Sequence, residues 1–142
     1  MILDTTHIKK EQKQIINDLV GKPFSFLEAI KLRGIGSKRM IIEEVSPNLN
    51  MYMNNNQDTK YANIELRSGG IIIHFNEGLK KFIWLIPFYH LVVYKTNGTS
   101  IHAQGRFIRF RNNKALKENK SFFDKLLNRK VNYDFKCDFN QP

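Results

Sequence analysis

The chain is poor in several things, and each shortage excludes something. It has one cysteine, Cys137, so neither an intramolecular disulfide framework nor a cysteine-built zinc cage is available. No apolar stretch reaches the about 20 residues a membrane-spanning helix needs. The longest is the thirteen-residue run from Phe82 to Tyr94, interrupted by Pro87 and His90. Nothing near the amino end has the apolar core of a secretion signal, and an intracellular, cytoplasmic setting is expected. Acidic residues are scarce as well: 13 Asp and Glu stand against 23 Lys and Arg, a net charge of +10. Such an excess favours an anionic partner. No nucleophile elbow and no paired metal-ligand motif occurs, so catalysis, metal and cofactor find no support. The chain is not poor in hydrophobic residues, which make up 42% of it and include eleven Phe. That composition excludes intrinsic disorder, and 142 residues suffice for one sizeable core.

Helical spacing of Ile8, Ile15, Ile16, Leu19 and Val20 predicts a helix over 5–20, closed by Gly21 and Pro23. Ser25 and Glu28 have capping-box spacing and open a second helix. Its apolar face is Phe26, Leu27, Ile30 and Leu32, and Gly34 ends it. The two would form an N-terminal helical hairpin over 1–37. From Lys38 the texture turns to strand. Strands are expected at 39–45, 61–67 and 71–75, with a weaker one at 50–53 and a polar loop at Asn54–Asp58. A long strand or bent pair should occupy 80–95, and Asn97-Gly98 is the best hairpin signal. Ser100–Arg111 returns as strand with a bulge at Gly105. A last amphipathic helix is expected at 121–130, with Phe122, Phe123, Leu126 and Leu127 on one stripe. The tail 131–142 either adds an edge strand or stays loose.

The charge excess is local. Residues 78–117 hold Lys80, Lys81, Lys95, Arg106, Arg109, Arg111, Lys114 and Lys117 and no Asp or Glu. Lys80, Lys81, Arg106, Arg109 and Arg111 are therefore the candidate anion-binding residues, for phosphate, a lipid headgroup or nucleic acid. The competing reading is a solvated sheet edge whose Lys and Arg prevent edge-to-edge aggregation. His7, His74, His90 and His102 are read as structural rather than ligating, although Glu65 or Glu77 could complete a metal set. Cys137 is read as a bystander, and Glu43-Glu44 as a pair on opposite strand faces.

Two resemblances bear on function. The run from Leu32 to Lys38 resembles the Gly-x-Gly hairpin of helix-hairpin-helix DNA-binding modules. There Gly34 and Gly36 would admit a phosphate and Lys38 would add charge. This makes a nucleic-acid-binding protein the alternative. The second resemblance covers residues 38–130. Gly70-Ile-Ile-Ile-His-Phe75, the Pro-bearing run from Trp84 to Val93, the segment from Ser100 to Phe110 and the final helix follow in the order of the pleckstrin-homology-like (PH-like) barrel, particularly its small bacterial versions. The resemblance implies an α+β fold, a β-barrel or strongly bent antiparallel sheet plugged by the C-terminal helix. It also implies a non-catalytic binding or scaffolding module with a protein or an anionic membrane surface as partner, and self-association as a further possibility.

Overall fold

A computed structural model describes residues 1–52, 59–77 and 79–140. The expected polar loop at Asn54–Asp58 lies outside the described residues. The elements are β1 (Ile2–Asp4), α1 (Lys10–Val20), α2 (Phe26–Lys31), β2 (Met40–Val45), β3 (Tyr61–Leu66), β4 (Gly70–Glu77), β5 (Lys80–Pro87), β6 (Val92–Tyr94), β7 (Thr99–Ala103), β8 (Arg106–Phe110), α3 (Lys114–Glu118) and α4 (Lys120–Asn140). All eight strands belong to one antiparallel sheet, in the order β1-β5-β4-β3-β2-β8-β7-β6. The sheet is open, not closed into a barrel.

The joint of the sheet is β2. Its first residues, Met40 and Ile41, pair with Ala62 and Tyr61 of β3. Its later residues, Ile42, Glu44 and Val45, pair with Phe110, Arg109 and Ile108 of β8. A bulge at Glu43 lies within the half that pairs with β8, and an extra residue of this kind bends a strand and increases its twist. The inner faces of both halves meet in one core. Ile64, Ile73, Trp84 and Ile86 come from one half, Ile101, Ile108 and Phe110 from the other, and all are fully buried. Phe122, Phe123 and Leu126 of α4 complete that core.

A second cluster lies on the outer face of β4 and β5. There α1 sets Ile16 and Val20 against Ile72, Ile83 and Leu85. Two covered faces explain why Ile71–Ile73 and Phe82–Ile86 read as continuous apolar runs. By contrast β3 alternates, with Ala62, Ile64 and Leu66 buried.

Several expectations need correction. The first helix begins at Lys10, because Asp4 turns back to accept from the N–H and hydroxyl of Thr6, and Gln12 caps the Lys9 N–H. The residues before it form β1, which lengthens the sheet beside β5. The two N-terminal helices share no buried interface of hairpin type: α1 seats on the sheet, and α2, opened as expected by its Ser25–Glu28 box, buries no residue. Residues 47–52 form a 3₁₀ turn, not a strand. Pro87 ends β5, and a 3₁₀ turn over Phe88–His90 leads to β6. The segment 100–111 is two strands, because Gln104 and Gly105, both at positive φ, make a tight hairpin turn rather than a bulge. Asn97 and Gly98 are both at positive φ in the β6–β7 hairpin, as expected. The tail is neither strand nor loose, since α4 runs on through residue 140. Among the described residues no helix is long and apolar enough to cross a membrane.

Candidate anion-binding surface

The five candidate cations do not gather in one place. Arg109 of β8 and Arg111, just past its end, each meet a carboxylate from β2. Arg109 donates to Glu44 Oε2 from Nη2 at 3.0 Å and from Nε at 3.3 Å, and to the Asn97 carbonyl at 3.3 Å. Arg111 Nε donates to Glu43 Oε2 at 2.5 Å. The bulge is what serves both: with Glu43 inserted, two consecutive carboxylates reach two arginines spaced by two. The hydrogen bond from Arg111 holds the Glu43 carboxyl below its usual range.

Lys80 and Lys81 stand exposed at the start of β5, against the end of β1. The Lys81 N–H donates to the Thr6 hydroxyl and its carbonyl accepts from the Thr5 N–H, so the strand edge there is covered.

Arg106 differs from the other four. It opens β8 on the face that carries the buried Ile108 and Phe110. Its Nε is buried and finds no hydrogen-bond partner among the described residues. Arg106 is among the residues that line a shallow depression of about 310 Å³, with His90, His102, Gln104 and Phe107 and no carboxylate among them. His102 stacks on Phe107, meets Tyr94 edge-on and contacts the Ser100 hydroxyl at 3.0 Å. Burial lowers its pKa, which favours the neutral ring. Nearby, Gln104 Oε1 accepts from the Trp84 indole at 3.4 Å, linking the β7–β8 turn to β5.

The Gly34–Lys38 segment runs beside β3. Gly36 forms a bridge with Glu65, flanked by bonds from Ser37 N–H to the Ile64 carbonyl and from Leu66 N–H to the Ile35 carbonyl. The Gly34 N–H donates to the Ala29 carbonyl, and the Lys38 N–H to Asn119 Oδ1 at 2.8 Å. Lys38 Nζ meets Glu118 at 3.3 Å. Three N–H groups of this loop, those of Gly34, Ser37 and Lys38, are thus engaged within the chain.

One polar network escaped the sequence reading. On the outer face of β3 and β4, Glu65 accepts from Arg67 Nε at 2.5 Å and meets His74 Nε2 at 3.0 Å, while Arg67 also donates to the Gly21 carbonyl. The signal lay in the same-face positions of Glu65 and Arg67 along an alternating strand. Burial pushes the Glu65 carboxyl up, but the hydrogen bonds and charges of His74 and Arg67 outweigh it and hold the pKa below the ordinary 4.5. A depressed folded-state value adds stability above the unfolded pKa, and that stability is lost as pH falls through the folded one. The expected result is that Glu65→Gln flattens the acid limb of a urea-midpoint profile taken from about pH 6 to about pH 3. Parallel profiles for variant and wild type would refute this role.

No three of the described His, Cys, Asp and Glu side chains come together as a metal site. The side chains of Glu77 and Cys137 lie outside what is described. Compared with protein-family models, curated proteins and solved structures, the chain matches none of them.

Proposed function

We propose that the chain is a non-catalytic binding module of PH-like type that holds an anionic group of its partner at Arg106. The architecture supports the first half of this reading. Seven consecutive antiparallel strands, β2 to β8, pair first with last and are followed by a helix that inserts Phe122, Phe123 and Leu126 into the core. Glu65, Glu44 and Glu43 are each held in an ion pair of structural kind, with Arg67, Arg109 and Arg111.

The observation that carries the second half is the buried Arg106 Nε without a partner, beside a depression that no carboxylate lines. A buried donor left unmade costs stability, and a charged acceptor would satisfy it with a strong, geometrically specific bond. Of the five candidates, Arg109 and Arg111 have carboxylates already, and Lys80 and Lys81 are exposed point charges. Arg106 is thus the best single anchor for a phosphate or carboxylate presented by a protein or lipid partner. The nucleic-acid alternative loses ground, because its loop has spent three N–H groups internally.

The test is an amide-NMR titration of the full chain with inorganic phosphate and with inositol phosphates. The expected shifts centre on Gln104, Gly105 and Arg106. Arg106→Gln should weaken binding about tenfold or more, the worth of a charged hydrogen bond. Arg109→Gln should leave it nearly unchanged. Equal losses in both variants, or shifts centred elsewhere, would overturn the assignment.

A further inference from the structure

Helix α2 presents its apolar side outward. Phe26 is 81% exposed, Leu27 70% and Ile30 58%, and the three share one face at spacings of one, three and four residues. Hydrophobic residues placed so regularly and left uncovered mark a docking surface more often than scattered exposed ones. The setting of this face is cationic. Lys22 precedes the helix, and Lys31 and Arg33 follow at its end. From α4, Lys125 Nζ reaches the Gly34 carbonyl at 2.8 Å, and Arg129 lies over the Phe24 ring at 4.9 Å. The Glu28 carboxylate of this helix is turned back to accept from the Ser25 N–H.

We propose that α2 docks the protein on an anionic lipid bilayer, with Phe26, Leu27 and Ile30 entering the interface and the surrounding Lys and Arg meeting the headgroups. The exposure favours a bilayer over a groove-lined partner, because the apolar residues sit on a short helix that buries none of its residues. Charge argues against a second copy: an isologous contact through this face would set two rings of cations against each other. Apolar insertion combined with attraction to anionic headgroups is how an amphipathic segment lies on a membrane without crossing it. This surface lies apart from Arg106, so the two proposals stand or fall separately.

The single Trp84 is fully buried, which makes Phe26→Trp a clean reporter. Mixed with vesicles of phosphatidylcholine and phosphatidylserine, this variant should show blue-shifted emission and quenching by lipid-borne bromine. Phosphatidylcholine alone should give neither effect, and added salt should weaken both. Replacing Phe26, Leu27 and Ile30 together by Ser should reduce co-sedimentation of the otherwise native protein with the mixed vesicles at least about tenfold. Its thermal midpoint should change little, because none of the three side chains belongs to the buried core. Emission that does not respond to the anionic vesicles would overturn the proposal. So would vesicle binding that survives the triple substitution, including binding lost instead on Arg106→Gln. A concentration-dependent dimer abolished by the triple substitution, without vesicle binding, would assign the face to a second copy and overturn it as well.

Discussion

Replacing Asn119 by Leu should lower the unfolding free energy by about 3–5 kcal/mol, the largest effect expected of a single polar residue here. Asn119 is 2% exposed and sits at the joint between α3 and α4. Its Oδ1 accepts from the Lys38 N–H at 2.8 Å, and its Nδ2 donates to the Lys38 carbonyl at 3.2 Å and to the Ala115 carbonyl at 3.0 Å. One side chain thus fastens both polar groups of a residue 81 positions earlier. Leucine shares the branched outline but is bulkier, and it takes the side-chain partner from three part-buried backbone groups, each at a cost of about 1 kcal/mol or somewhat more. Asn119→Asp separates the two roles. It keeps an acceptor for the Lys38 N–H but turns a second oxygen toward two carbonyls, so it too should destabilise at neutral pH. Protonation restores one donor, and the Asp variant should recover part of its loss in acid, where the Leu variant should not. Urea unfolding of the three proteins is the measurement. A Leu variant within about 0.5 kcal/mol of wild type would show that the clamp contributes little.

The second large effect is expected at Gly70. A methyl group there would stand 2.3 Å from the Ile86 carbonyl oxygen, 2.9 Å from Pro87 Cα and 3.0 Å from a Val20 methyl. The first two are backbone atoms of the paired strand and cannot rotate away. Gly70→Ala must therefore spread β4 from β5 at the end where Gly70 pairs with Pro87, and lift α1 from its seat. The expected loss is about 3 kcal/mol, the upper range of overpacking. Hydrogen exchange should rise at Phe88, whose N–H donates to the neighbouring Gly69 carbonyl. Gly36→Ala is the matched control. Its added carbon meets nothing nearer than the Ile64 carbonyl oxygen at 3.9 Å, and stability should stay within about 0.5 kcal/mol. A Gly70→Ala protein as stable as this control would contradict the close strand approach.

What the sequence made legible follows from the range of the signals involved. Period-2 alternation at Ala62, Ile64 and Leu66, the Ser25–Glu28 cap and the Asn97-Gly98 turn are local features, and each appears in the structure where the residues put it. The apolar stripe of Phe122, Phe123 and Leu126 likewise reaches the core. The Gln104-Gly105 turn was missed because glutamine rarely adopts positive φ, so the pair does not announce itself as Asn-Gly does. The outward exposure of the α2 face was not legible, because helical periodicity reports that a face is apolar and not what covers it.

The charge count shows another limit of reading along the chain. Arg109 and Arg111 stand in a stretch without a single Asp or Glu, yet they pair with Glu44 and Glu43, 65 and 68 positions away in sequence. Counting charge along the chain cannot see a partner delivered across a sheet. It also cannot distinguish those two arginines from Arg106, whose difference lies in burial.

The pairing of β2 with β8 has a kinetic consequence. Hairpins β3–β4, β4–β5 and β7–β8 can each close over short loops, but neither half of the core is sealed until Ile42 finds Phe110. Closing so long a loop is entropically slow, and folds dominated by distant pairings reach the native state late. Until then the runs Ile71–Ile73 and Phe82–Ile86 lack part of their cover, and strand edges stand open. The half-folded chain should therefore be the species most prone to aggregate. Substitutions that weaken the residue 40–45 to residue 106–110 contact should lengthen the life of that species before they alter anything the folded protein does.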